Sequence, residues 1–153
     1  MRITPILKIE EAYNRAIELL AEKHNGTQTP RGHEVFRGTW LCAAKHAWVE
    51  LAKAAVLDHS RQGIRLGEIS QEFENASESQ CFMEFHSTCF PEVAGNILSI
   101  LWKASGMIMI NEATKILRLK PGRQRNELIQ ALENELATLE IFWLCAYTNP
   151  ESN

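Results

Sequence analysis

At 153 residues, 45% hydrophobic and 23% charged, the chain has the make-up of one globular domain, long enough to bury about 70% of its unfolded surface without staples. A net charge of −3 excludes a generally basic nucleic-acid binder but leaves room for a local basic patch. No run of eighteen apolar residues is present, so no membrane-spanning helix is expected.

The acids are lopsided: Asp58 is the single Asp and all the others are Glu. Glu tolerates helix interiors, whereas Mg²⁺ and Ca²⁺ sites lean on Asp. Cys42, Cys81, Cys89 and Cys145 are too few for a disulfide scaffold, and the N-terminus lacks the apolar run of a signal peptide. A cytoplasmic protein with reduced thiols is the expectation.

In chain order, Ile6, Ile9, Tyr13, Ala16, Ile17 and Leu20 recur at helical spacing and predict an amphipathic helix from Ile6 to Lys23. Thr4-Pro5 reads as its start and Asn25-Gly26 as its stop. Residues 27–32 read as a loop. A second helix is predicted from His33 or Glu34 to Asp58. Its stretch from Thr39 to Val56 has Trp40, Leu41, Ala44, Trp48, Leu51, Ala52 and Ala55 on one face and only Lys45, Glu50 and Lys53 as charges. A helix this apolar needs other helices to cover it.

Ser60 to Gly67, with Gly63 and Gly67, reads as a polar turn. Between Leu66 and Phe90 three arrangements stay open: one helix, two short helices, or a helix and an irregular segment. Pro91 and Glu92 suit the first turn of a helix that continues to Lys120. That helix is apolar almost all round between Val93 and Ile110, with Gly106 inside it as a point of close approach or a kink. Pro121-Gly122 breaks the chain. A last helix is predicted from near Arg123 to Tyr147, its seam formed by Ile129, Leu132, Leu136, Leu139, Trp143 and Ala146. Residues 149–153 read as a disordered tail. The fold class is therefore all-α: a single domain over residues 1–148, an irregular bundle of five to six helices whose final seam completes the core or forms a dimer interface.

Charge is distributed unevenly. No Lys or Arg occurs between Gly67 and Trp102, where Glu68, Glu72, Glu74, Glu78, Glu84 and Glu92 fall. Between Lys115 and Arg125 the chain has Lys115, Arg118, Lys120, Arg123 and Arg125 and no acid. Lys115, Arg118 and Lys120 close a helix, where cations complement the dipole. Arg123 and Arg125 open the next, where cations oppose it. Such a helix start invites an anion: a nucleic-acid backbone, a ligand phosphate, or the Glu68–Glu92 segment of this or another copy. The aromatic interleaving of a single-strand binder is missing.

Cys42 and His46 lie four apart on one helix, opposite its Trp40–Trp48 face and near Val49 and Lys53. Cys81, His86 and Cys89 follow as C-x4-H-x2-C. These five side chains are enough for a tetrahedral Zn²⁺, but the spacing matches no zinc module, and buried free Cys acting as a small hydrophobe is the reading preferred. A Cys/His nucleophile pairing has no spacing to support it, and no nucleophile elbow, phosphate loop, dinucleotide fingerprint or H-E-x-x-H is present. The stretch from Ile64 to Phe85 imitates a helix-turn-helix, yet Glu78 and Glu84 would repel phosphate from its second helix. An acidic face that mimics nucleic acid fits those residues better. The four Trp fall on apolar faces and read as core.

The expected function is that of a small, non-enzymatic interaction or assembly protein with no cofactor. It would act as a homo-oligomer or as a subunit of a complex, through charged faces on a protein partner. The alternatives are a nucleic-acid-contacting subunit using the basic turn, and a protein holding a metal on its Cys/His set.

Overall fold

The computed structural model describes residues 30–148, with side-chain surroundings for residues 34–138. The described part is all-α, with no strand. Helix α1 spans Pro30–Ala55, α2 His59–Glu74, α3 Gln80–Cys89, α4 Gly95–Leu117 and α5 Arg123–Thr148. A 3₁₀ turn at Ala76–Glu78 joins α2 to α3. The predicted helix at 6–23, the tail at 149–153, and the outer seam positions Leu139, Trp143 and Ala146 with Cys145 all lie outside what is described.

Helix α1 starts at Pro30, inside the predicted loop at 27–32. Proline is tolerated at a first helical position, because its missing N–H would have no partner there. Trp40, Ala43, Ala44, Ala47, Leu51 and Ala54 are fully buried on α1. The alanines let α4 come close, and α1–α4 is the most extensive contact among the described helices. His46 of α1 faces Trp102 of α4 at 6.4 Å between rings, while Leu51 and Ala55 share a surface dimple with Thr114, Leu117 and Arg118. The two central helices therefore run parallel.

Between them α2 runs back, antiparallel to α1. Arg65 Nη2 donates to Glu50 Oε2 at 2.7 Å, and His46 Nε2 meets Glu72 Oε1 at 3.0 Å. The predicted turn at Ser60–Gly67 is thus corrected to helix. Asp58 caps it, its carboxylate accepting from Arg61 N at 2.9 Å, and Ile69 and Phe73 bury its inner face. Gly63 and Gly67 stand on the open side, where an added Cβ would meet nothing within 4 Å. Their helix penalty of about 1 kcal/mol each is outweighed by that burial.

From Leu66 to Phe90 the arrangement is two helices with a 3₁₀ turn between them. Ser79 caps α3 by accepting from Phe82 N at 3.1 Å. Helix α4 begins at Gly95 and ends at Leu117, so the predicted span from Pro91 to Lys120 is shortened at both ends. His86 Nε2 donates to the Val93 carbonyl at 2.8 Å, and Val93 N donates to Phe90 O. These bonds hold residues 90–94 in a turn.

Ten residues of α4 are buried. Gly106 is a point of close approach: a Cβ there would lie 2.0 Å from Cδ1 of Phe73. That ring stacks on Trp102 at 6.1 Å, and Phe82 and Phe85 complete the cluster at 5.9 and 5.0 Å from Trp102. On α5, Leu132 and Leu136 of the predicted seam are buried and Ile129 is half-buried, with Leu128, outside the predicted seam, also buried, so the described half of the seam packs within the chain, chiefly on α1.

Candidate functional site

The basic turn is where the chain reverses from α4 into α5. Gly122 adopts φ +157°, in the region favouring glycine, and its carbonyl accepts the first α5 bond, from Asn126 N. Two of the five cations have acids in their own helix: Lys115 Nζ lies 3.1 Å from Glu112, and Arg123 Nε 2.8 Å from Glu127. Arg123 thus has an exposed ion pair within its own helix, one turn along α5. Arg118, Lys120 and Arg125 have no acidic partner among the described residues. Arg118 and Lys120 are exposed and Arg125 half-buried, with the Arg125 Nε buried and unpartnered.

Arg118 also edges the dimple. Leu51, Ala55, Leu66 and Leu117 give it an apolar floor, and Gln62, Thr114 and Arg118 supply polar groups.

Of the acidic residues, Glu74, Glu78 and Glu84 lie toward the other end of α4. Glu74 pairs with Lys103 at 3.1 Å. Helix α3, with Glu84, lies against Trp102 through Phe82 and Phe85, and Glu78 precedes it. From Lys103 to Arg118 is fifteen residues of helix, about 22 Å of rise. Glu68 is near Arg65 at 3.8 Å and Glu72 meets His46. None of these pairs joins the acidic segment to the basic turn. Glu78 and Glu84 are exposed, and Glu84 accepts from Gln80 Nε2 at 3.0 Å.

The Cys/His set does not gather. His46 is corrected from an outward position to a half-buried one against Glu72, Phe73 and Trp102, because α2 and α4 cover two sides of α1. Val49 and Lys53, its supposed neighbours on an outer face, are the ones left exposed. Cys42 packs on the core. His86 stacks on Phe82 at 5.8 Å and has its Nε2 on Val93. Among the described residues no group of three or more His, Cys, Asp or Glu side chains is placed to hold a metal. Burial, with the charges of Glu72, Glu84 and Glu50, pushes the Cys81 thiol up to about 11. Burial also raises Cys89. Both shifts run opposite to the activation a nucleophile needs.

The sequence reading missed the half-buried pair Glu50–Arg65. The hydrogen bond from Arg65 holds the Glu50 carboxyl below its ordinary range, against the opposing effect of burial. One signal for it was available: Glu50 is the sole acid in the apolar stretch from Thr39 to Val56.

Among the described residues no helix is long and apolar enough to cross a membrane. Comparison with protein-family models, with curated proteins and with solved structures finds no match.

Proposed function

We propose that the chain is a non-enzymatic interaction protein whose basic turn grips an acidic protein surface. The carrying observation is that Arg118, Lys120 and Arg125 have no acidic partner among the described residues and cluster where α4 turns into α5, beside an apolar dimple. A fold gains little from crowding unpaired cations, whereas complementary charge steers and orients a partner. The raised thiols of Cys81 and Cys89 support a non-catalytic reading.

Fluorescence anisotropy with a labelled oligoglutamate peptide, and with single-stranded and duplex oligonucleotides, tests this. Oligoglutamate binding should be salt-sensitive and should be lost in Arg118→Glu with Lys120→Glu. Tighter oligonucleotide binding, with a log–log salt slope of about 0.7–0.9 per phosphate contact, would transfer the turn to the nucleic-acid reading. Binding to neither probe would leave it as solvated surface.

A further inference from the structure

We infer that the acidic partner is a second copy of this chain, docked head to tail, with Met83 of one copy seated in the dimple beside Arg118 of the next. This rests on the reading of the basic end as a protein-gripping surface and names its occupant.

Three observations converge. First, the two charged ends lie about 22 Å apart along α4, well beyond the roughly 8 Å over which salt screens exposed charges. They cannot neutralise each other within one molecule and are complementary between molecules. Second, the dimple has an apolar floor with Arg118 at its edge, which an apolar side chain beside a carboxylate would complement. On α3 the exposed face carries Gln80, Met83, Glu84 and Ser87. Met83 is 46% exposed and is the one large exposed hydrophobic on that helix, immediately before Glu84. An unbranched thioether suits an irregular, open recess. Third, Glu84 and Glu78 meet no cation in their own chain among the described residues, so Arg118 and Lys120 of a neighbour are available to both. An apolar anchor ringed by charge is the usual layout of a small interface.

Docked head to tail, the contact is heterologous and copies add in one direction; reciprocal antiparallel pairing of both ends would instead close as a two-fold dimer that plateaus at twice the monomer mass. Sedimentation velocity with single-end variants tests this. Met83→Asp disables the acidic end and leaves the basic end intact. Arg118→Glu disables the basic end and leaves the acidic end intact. Both positions are exposed, so folding should be unaffected, and circular dichroism checks this.

At low salt the wild-type mass should climb with concentration without a plateau, and in about 0.5 M salt it should return to that of the 17.4 kDa monomer. Each variant alone should stay monomeric, and an equimolar mixture should stop at a one-to-one dimer. A monomeric wild type at its highest soluble concentration, a variant that associates like wild type, or a mixture that does not pair would each overturn the inference. Oligoglutamate separates this from the wider reading. If it binds Met83→Asp normally while no self-association occurs, the basic end grips some other acidic protein. If it binds nothing, both readings fall.

Discussion

At Gly106 a single hydrogen decides how closely two helices pack. The Phe73 ring occupies the space a Cβ would need, at 2.0 Å from Cδ1 and 2.1 Å from Cε1, and is itself pinned by Trp102. Gly106→Ala should therefore destabilise by about 1–3 kcal/mol or more, as overpacking of a tight core does. Gly67→Ala is the matching control. It meets nothing within 4 Å and removes backbone freedom from the unfolded chain, so it should stabilise by about 0.4–1 kcal/mol. Urea denaturation of both variants checks the opposite signs. Residue-scale chemistry also predicts that Cys81 is inert. With its thiol at about 11, almost no thiolate exists at pH 8, and labelling by a disulfide reagent should be far slower than for free cysteine. Labelling at the rate of free cysteine would show that the site is neither buried nor negatively charged.

At the scale of elements, the Glu50–Arg65 pair ties α1 to α2 with both side chains less than a third exposed. Glu50 has its folded pKa depressed, so its stabilisation is present above the unfolded pKa and is lost as pH falls through the folded value. Glu50→Gln should cost about 1–2 kcal/mol at neutral pH. The gap between wild type and variant should close as pH drops below the ordinary Glu range, measured by denaturation at stepped pH. Trp48→Ala and Leu101→Ala, at 7% and 4% exposure, should each cost about 2–5 kcal/mol.

These elements also show what was legible in advance. Helices α1, α4 and α5 announced themselves because long apolar periodicity survives any packing arrangement. The start of α2 did not. Its glycines and polar residues read locally as a turn, and only the Asp58 cap together with the burial of Ile69 and Phe73 holds them in a helix. Pro91 misled for a related reason. It suits a helix start, but the His86–Val93 hydrogen bond, made between residues seven apart, keeps the chain turning until Gly95. The outward placement of His46 failed because a single-face reading of α1 does not anticipate two covering helices.

Across the whole molecule, the parallel run of α1 and α4 converts a lopsided charge pattern into two ends. The basic cluster was visible as five cations in eleven residues. Its distance from the acids and its place beside a dimple depend on chain direction, which no local pattern encodes. One consequence concerns stability alone. Arg118 caps α4 at its C-terminus, where a cation gains a few tenths of a kcal/mol from the helix dipole. It also sits among Lys115, Lys120, Arg123 and Arg125, where like-charge repulsion costs a similar amount. With no acid paired to Arg118 or Lys120 among the described residues, the two small effects oppose each other and little else remains. Arg118→Gln with Lys120→Gln should then change unfolding free energy by no more than about 0.5 kcal/mol, and the melting temperature should hold at both low and high salt. Arg65→Gln, which breaks the pairing with Glu50, should lower it clearly in the same assay. A loss from the Arg118/Lys120 variant as large as that from Arg65→Gln would mean that an anion within the chain already satisfies the turn, and the basic end would no longer be available to a partner.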